Sequence, residues 1–264
     1  MHFDETPIRV GKAKHYIHVA CTGMLTLLHA DVTRGLNAVE RLGVLPGYKG
    51  TAVHDRLAMY FNYTGARHGV CGAHLIRNLT SVAVVWNQTE WAEAMTDLLI
   101  EMKCAAEDAR AAGKKRLSAK VFASFLARYD RIVELGLAAN PEPTWRKRDY
   151  VEKESYNLAL ALRDLLPEVT LFAKDLRVPF SNNQAESDLR MANSAEDLWI
   201  VPGCRWCETP SQGTLLHLEA AKHGIDAMDV LTTSVRLRTL EDGDTDAHLI
   251  APSLPRSPLH YYPL

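Results

Sequence analysis

The sequence has no long uninterrupted apolar run. No stretch approaches the ~18 residues that a membrane-spanning helix needs, and the first residues lack the basic and then apolar pattern of a signal peptide. Hydrophobic residues nonetheless make up 47% of the 264 positions, which is enough to build a substantial core. We therefore expect a cytoplasmic protein outside the membrane, with one large domain or one domain that carries an insertion.

The chain also has few cysteines and a small net charge. The five cysteines are odd in number and irregularly spaced, which does not predict a disulfide framework and fits a reducing compartment. The formal net charge is −2, so the molecule as a whole has no nucleic-acid signature. Basic residues do cluster locally, at Lys114, Lys115, Arg116 and Lys120 and again at 146–148. Such patches permit phosphate binding without demonstrating it.

The first part of the chain has β character and then alternates short segments. Runs rich in β-formers fill residues 2–30, with a hairpin signal at Thr22-Gly23. A helical pattern covers 31–42. The next segments predict a short strand at 51–55, a short helix at 57–60 and another short strand in HGVCG.

From Ala73 onward the pattern is helical. Apolar residues recur at helical spacing over 90–112, and Ser118 is placed to cap a second long helix. Further helical patterns cover 151–173 and the segment that begins SNNQAESDLRMAN. The order of elements predicts an α/β fold, in which a mixed sheet is interrupted by a long all-helical insertion before the last helix.

Three acidic residues stand where this order of elements could bring them together. Asp4 lies on the first strand, Asp55 ends the fourth, and Glu186 is in the first turn of the late helix. Carboxylates arranged in this way can hold two divalent metals about 4 Å apart for phosphoryl chemistry. Oxygen ligands with open positions suit Mg²⁺ or Mn²⁺.

Each acid also has a purely structural interpretation. Asp4 can be a frayed terminal charge, and Asp55 can cap the helix that follows it. Asn183 and Glu186 have the spacing of a capping box. Spacing alone favours these structural interpretations, because surface acids are common.

Two cysteine-containing pairs have the spacing of metal ligands. Cys71-Gly-Ala-His74 and Cys204-Arg-Trp-Cys207 could together form a Cys₃His zinc site. The alternative is a buried thiol beside a histidine at the start of a helix. His54, Arg77 and Arg190 are further candidates, although Arg190 could simply pair with Glu186 one helical turn away.

Three motifs, in this order, resemble the transposases of the insertion sequence 66 family: FDET, HDRLAMYFNYTGARHGVCGAHLIRNL and VPFSNNQAESDLRM. The similarity runs over about residues 2–191 and returns briefly in AAKHGIDAMDVL. These enzymes belong to the DDE group, whose catalytic domain has the ribonuclease H-like fold. The resemblance implies that Asp4, Asp55 and Glu186 are the catalytic, metal-binding triad, with two Mg²⁺ or Mn²⁺ ions, and that the reaction is cleavage and transfer of DNA strands.

The resemblance also implies how the chain is divided and what it binds. Residues 1–72 would begin the catalytic core, 73–176 would be the helical insertion, 177–235 would hold the last catalytic helix, and 236–264 would be a poorly ordered tail. A Cys-x-x-His follows the second acid in this family, which supports Cys71 and His74 but not the Cys204/Cys207 pair. The implied partners are DNA, at element ends and target, and a second copy in a homodimer or synaptic complex. The candidate DNA contacts are Arg77, Arg190, Lys114, Lys115 and Arg116.

The chain departs from the family pattern in three places. Ser187 replaces an arginine after the last acid, and residues 192–214 are acidic and irregular, as a local frame shift would explain. Family members also carry DNA-binding and zinc-binding segments before the first acid, whereas this chain starts three residues before Asp4. We therefore expect a frayed Asp4 and a chain that does not transpose by itself. The alternatives are a catalytically dead remnant that binds DNA or an intact transposase, and a metal-dependent nuclease outside transposition.

Overall fold

A computed structural model of the chain describes residues 1–10, 12–142 and 150–194. The strands are β1 (His2–Val10), β2 (Ala13–Cys21), β3 (Thr26–Asp31), β4 (Thr51–His54) and β5 (Arg67–Val70). The helices are α1 (Leu36–Leu42), α2 (Gly72–Val85), α3 (Thr89–Ala111), α4 (Ala119–Ala139), α5 (Tyr150–Asp164), α6 (Leu166–Val169), α7 (Leu171–Lys174) and α8 (Asn183–Ser194). Short 3₁₀ turns lie at Leu45–Gly47 and Tyr60–Asn62. No helix in the described part is long and apolar enough to cross a membrane.

The five strands form one mixed sheet in the order β3-β2-β1-β4-β5. β1 and β2 pair antiparallel along their whole length, and β2 and β3 continue as a second hairpin. β4 pairs parallel with β5 and also runs parallel to β1, through His2 and Val53. This mixed α/β arrangement, with helices following the sheet, is consistent with the ribonuclease H-like fold.

The two faces of the sheet pack against different helices. Phe3 and Ala20 pack with Val39 and Leu42 of α1 on one face. Ile8 and Val19 belong to a separate buried cluster that includes Leu189 of α8, together with Ile17, Cys21, Leu28 and Ala185. Because successive residues of a strand point to opposite faces, the face of β1 that carries Ile8 also carries Asp4.

Helices α2 to α7 enclose a core of their own. It includes Leu79 of α2, Leu99 of α3, Tyr129 of α4, Leu162 of α5 and Phe172 of α7, all nearly or fully buried. The predicted stripe on α3 is confirmed, since its members are buried at helical spacing: Met95, Leu98, Leu99, Met102 and Ala106. The hydroxyl of Ser118 accepts a hydrogen bond from the backbone N–H of Val121, which confirms the predicted cap of α4.

Three sequence-based helix predictions are wrong in their bounds or type. The first helix begins at Leu36, because Asp31 is the last residue of β3 and is buried. The short helix expected at 57–60 is instead a 3₁₀ turn at Tyr60–Asn62. The single helix expected over 151–173 is divided into α5, α6 and α7. The break between α5 and α6 falls just before Pro167, which lacks the N–H that a continuous helix requires. The predictions for 195–214 and for the tail at 236–264 lie outside the described residues.

Candidate active site

Asp4 and Glu5 occupy opposite faces of β1 and have different partners. Glu5 is buried, where Arg34 donates a 2.7 Å hydrogen bond to one carboxylate oxygen and the hydroxyl of Tyr60 donates one of 2.5 Å to the other. Asp4 is half-buried on the α8 face, and its Oδ1 accepts the backbone N–H of Glu5 at 2.9 Å. The carboxylate of Glu5 is thus bound by the side chains of Arg34 and Tyr60. The carboxylate of Asp4 instead accepts a hydrogen bond from the backbone.

Asp4 does not lie at a frayed end of β1. The strand is paired with β2 from His2 onward, and Asp4 lies directly opposite Val19. β1 is also the middle strand of the sheet, so its position is fixed by hydrogen bonds along β2 and by contact with β4. The expectation of fraying is therefore wrong.

Asp55 directly follows β4, at the point where the strand ends. Its Oδ1 accepts a 2.8 Å hydrogen bond from the backbone N–H of Leu57, which orders the turn after the strand. Behind it, Nδ1 of His54 donates to the carbonyl of Asp55 at 2.5 Å, and Nε2 of His54 lies 2.8 Å from Nδ1 of His68. Burial lowers the pKa of His54 to about 4, so this ring is neutral near pH 7 and fixes the backbone of Asp55.

Glu186 is in the first turn of α8, between two residues that anchor the helix to the sheet. Ala185 and Leu189 are buried in the cluster beneath β1 and β2. The capping-box interpretation is wrong, because α8 already begins at Asn183 and the backbone N–H of Glu186 donates to the carbonyl of Asn182. Asp188, on the next turn, fixes the helix to β3 by accepting a 2.6 Å hydrogen bond from Thr26.

The charges of Asp55 and Glu186 both act on the carboxyl group of Asp4. Burial, and to a smaller extent the negative charges of Glu5, Asp55 and Glu186, raise the pKa of Asp4 to about 7, against the hydrogen bond from the Glu5 backbone. Asp55 and Glu186 come from a strand end and a helix that are far from Asp4 in sequence, yet both act on its carboxyl group. The structure therefore gathers negative charge beside Asp4, and such a cluster favours cations.

Cys71 and His74 lie at the junction of β5 and α2, as the sequence predicts. Cys71 is the residue before α2 and is buried, and His74 follows in the first turn. Glu186 lies beside them. One ligand atom from each of Cys71, His74 and Glu186 lies within 4.8 Å of the others, and Nε2 of His74 is 3.6 Å from Oε1 of Glu186. The predicted partners Cys204 and Cys207 lie outside the described residues.

Asn182 is a site residue that the sequence analysis did not single out. It is fully buried, its side-chain amide donates a 2.8 Å hydrogen bond to the carbonyl of Phe3, and its Oδ1 lies 2.9 Å from Nδ1 of His2. Its backbone N–H also points at the sulfur of Cys71 at 3.1 Å. The residue thus joins the start of α8 to β1 and to the β5–α2 junction. An asparagine just before a helix looks like an ordinary cap in sequence, so no local pattern distinguishes it.

The basic candidates are all exposed. Arg77 lies on α2 less than one turn after His74, and Arg190 lies on α8 one turn after Glu186. Lys114, Lys115 and Arg116 follow α3, outside these helices. A cavity of about 510 Å³ at the start of α4 is lined by Lys114, Arg116 and Lys174 and by the capping residue Ser118, with Leu117, Ala119, Phe122 and Ala173 completing the wall.

The class of site that emerges is an acidic cluster on a mixed α/β sheet, formed by residues from a central strand, a neighbouring strand end and a packed helix. A sequence model described as "Transposase IS66 family" matches residues 1–203. The chain belongs to this family of DDE transposases. No curated protein and no solved structure is significantly similar to it. The family carries out transposition by phosphoryl transfer on DNA, generally with divalent metals.

Proposed function

We propose that this chain is a catalytic domain for DNA strand cleavage and strand transfer, with Asp4, Asp55 and Glu186 as its metal-binding and catalytic carboxylates. The observation that carries the proposal is that α8, which bears Glu186, packs on the face of β1 that bears Asp4. Asp55 and Glu186 both raise the pKa of Asp4, although the three residues come from β1, the end of β4 and α8. Family membership supplies the reaction class.

The donor set fits hard divalent cations. All three side chains offer carboxylate oxygens, which Mg²⁺ and Mn²⁺ prefer. Asp4 keeps a raised pKa because burial and its acidic neighbours disfavour its ionised form, and a bound cation would reverse that effect. Two such ions, when bound, would activate the attacking oxygen and stabilise the leaving oxygen of the phosphodiester.

The protein contributes position to this chemistry. Asp4 is fixed on a fully paired strand, and Asp55 is fixed by the turn to Leu57 and by the neutral ring of His54. Glu186 is carried by a helix that Asn182 ties to Phe3. Rigid supports of this kind matter because an error of about 1 Å in a reacting group can cost on the order of 100-fold in rate.

The wider architecture of the proposal follows the family. Residues 1–72 would begin a ribonuclease H-like core, 73–176 would be a helical insertion, and 177–235 would hold the last catalytic helix. The separate buried core shared by α2 to α7 supports the insertion. The DNA contacts of the proposal are exposed cations, because such side chains supply salt-sensitive affinity for phosphates. The phosphates of element ends and target DNA would be contacted by Arg77, Arg190, Lys114, Lys115 and Arg116. A homodimer or synaptic complex would bring two DNA ends together.

The test is Mn²⁺-dependent nicking of plasmid DNA that carries the element ends. We expect nicking by the unmodified chain and loss of at least ~100-fold in Asp55→Ala, whereas Asp97→Ala, which changes an exposed carboxylate on α3, should leave it unchanged. Binding of Mn²⁺, measured by calorimetry, should weaken in the same Asp55→Ala variant. Equal nicking by Asp55→Ala and the unmodified chain would contradict the proposal.

A chain that binds DNA but neither binds Mn²⁺ nor nicks would instead be a remnant. Ser187 favours this second candidate, because it stands on the exposed side of α8 where the family pattern has an arginine. Nicking that does not depend on the element ends would point to a nuclease outside transposition.

A further inference from the structure

Cys71, His74 and Glu186 form a cluster whose donor chemistry differs from that of the three acids. A thiol, an imidazole and a carboxylate each place one ligand atom within 4.8 Å of the others. Two ligands of a tetrahedral zinc ion, each about 2.0–2.3 Å from the metal, lie roughly 3.3–3.8 Å apart by simple geometry. The 3.6 Å between Nε2 of His74 and Oε1 of Glu186 falls within this range.

Two polar atoms of the cluster are buried without a hydrogen-bond partner among the described residues. They are Nδ1 of His74 and Oε1 of Glu186. Oε1 is too far from the His74 ring for a hydrogen bond, so the ion-pair contact does not satisfy it. Buried polar atoms of this kind are rare in native proteins, because each one carries an uncompensated desolvation cost. A cation coordinated by Oε1 would remove that cost for Glu186.

The sulfur of Cys71 lies where a hydrogen-bond donor can stabilise a coordinated thiolate. The backbone N–H of Asn182 points at Sγ from 3.1 Å. Cys71 is fully buried and immediately precedes α2, whose first turn carries His74. A metal ion bound here would replace the thiol proton, because coordination by cysteine requires the deprotonated sulfur.

We propose that Cys71, His74 and Glu186 bind a borderline-soft divalent cation, with Zn²⁺ as the representative ion, and that its binding withdraws Glu186 from the catalytic acids. Thiolate and imidazole select Zn²⁺ over Mg²⁺, which prefers oxygen ligands. Three protein ligands leave a fourth position for water or a phosphate oxygen. The site is distinct from the Cys₃His arrangement that the sequence suggests, since its third ligand is Glu186.

The regulatory part of this inference rests on the proposed function, because it requires Glu186 to be a catalytic ligand. One carboxylate would then be shared between two sites with opposite metal preferences. Zn²⁺ would inhibit strand cleavage by competing for Glu186, and a high concentration of Mn²⁺ would relieve the inhibition.

The binding test uses Co²⁺ as a spectroscopic substitute for Zn²⁺. The full chain carries Cys204→Ser and Cys207→Ser, so that thiols outside the described residues cannot contribute. We expect stoichiometric binding with a sulfur-to-cobalt charge-transfer band, which Zn²⁺ removes by displacement. Cys71→Ser should abolish the band, and Cys104→Ser, which changes an exposed thiol on α3, should retain it.

The other two ligands have their own expected result. Glu186→Gln and His74→Gln should keep a weakened band, with Co²⁺ affinity at least ~10-fold lower, since even changes outside the ligand shell cost this much. A band of equal strength in Cys71→Ser, or no stoichiometric Co²⁺ binding by the parent chain, would overturn the site.

The inhibition test separates this inference from the proposed function. The Zn²⁺ concentration that halves Mn²⁺-dependent nicking should rise at least ~10-fold in Cys71→Ser, in line with the loss of a ligand. Inhibition that is unchanged in this variant would overturn the regulatory part. If the parent chain does not nick DNA, the proposed function fails, and the cobalt spectra still decide whether the site exists. Nicking without cobalt binding would remove the site and leave the proposed function intact.

Discussion

The side-chain amide of Asn182 donates a 2.8 Å hydrogen bond to the backbone carbonyl of Phe3. This bond joins the residue before α8 to the residue before Asp4, and the Asn182 side chain that makes it is fully buried. The same residue contacts the sulfur of Cys71 through its backbone N–H. Asn182 therefore fixes three segments of the candidate site relative to one another.

Replacing Asn182 should separate those segments. In Asn182→Ala the carbonyl of Phe3 loses its buried donor, and we expect a loss of about 1–3 kcal/mol in the free energy of unfolding, measured with urea. Mn²⁺-dependent nicking should fall by on the order of 100-fold, because α8 is no longer held to β1. Asn183→Ala changes the next, exposed residue and should alter neither measurement. Unchanged nicking in a stable Asn182→Ala protein would contradict this positioning role.

Gly72 is required where α2 passes Phe180. A Cβ at this position would overlap the Phe180 ring, and the backbone N–H of Gly72 donates to the Phe180 carbonyl at 2.8 Å. We expect Gly72→Ala to lower the free energy of unfolding by about 1–3 kcal/mol through overpacking. The matched control is Gly47→Ala, since a Cβ there meets no atom within 4 Å. Equal stability of the two variants would show that Phe180 can move away at little cost.

The raised pKa of Asp4 predicts a pH dependence of the metal-free protein. Because this pKa is about 7 in the folded protein against 3.8 in a model compound, the folded state holds a proton that the unfolded state releases between these values. Stability should therefore fall as the pH rises from 4 to 7. Asp4→Asn removes this titration, so at pH 8 in chelator it should be more stable than the unmodified chain, by on the order of 1–4 kcal/mol.

The difference between these two proteins should shrink as the pH falls towards 4 and vanish below about pH 3, where Asp4 is protonated in both states. Mg²⁺ should also reduce it at pH 8, because a cation stabilises the ionised carboxylate. Asp97→Asn, at an exposed position on α3, should show neither effect. A variant that is less stable than the unmodified chain at pH 8 in chelator would contradict the prediction.

Asp31 should make the free energy of unfolding depend on pH in the opposite direction. Arg41 donates hydrogen bonds of 2.6 and 2.7 Å to its buried carboxylate, and with Thr33 these hold the pKa of Asp31 well below its usual range. The stabilisation is present above the ordinary pKa of about 3.9 and is lost as the pH falls towards the lower folded-state value.

Asp31→Asn should consequently cost about 1–3 kcal/mol of unfolding free energy at pH 7, and the cost should shrink as the pH falls below about 4. Asp164→Asn breaks an exposed pair with Arg163 and should cost no more than about 1 kcal/mol. Denaturant unfolding at several pH values measures both. A cost for Asp31→Asn that stays constant down to pH 2 would show that the ion pair does not carry the stabilisation.

The sequence by itself determined the local elements and the family. The runs rich in β-formers over 2–30 and the Thr22-Gly23 turn are local signals, and the three strands they predicted are confirmed as β1, β2 and β3. The buried stripe of α3 and the cap at Ser118 are likewise set within a few residues. The order of elements made Asp4, Asp55 and Glu186 candidates, but only the resemblance favoured them as a site, because spacing alone favours capping and surface charge.

Only the tertiary structure decided which face of β1 meets α8 and which side chains share the site. Asp31 was expected to begin a helix, yet it is the last residue of β3, where it pairs with Tyr16 and its carboxylate accepts a hydrogen bond from Arg41. Asn182 donates a hydrogen bond to Phe3, and Glu186 lies beside His74. Both contacts join segments more than 100 residues apart in sequence. Such contacts produce no recurring pattern of residues in the sequence, because they depend on how the helices pack on the sheet after each element has formed.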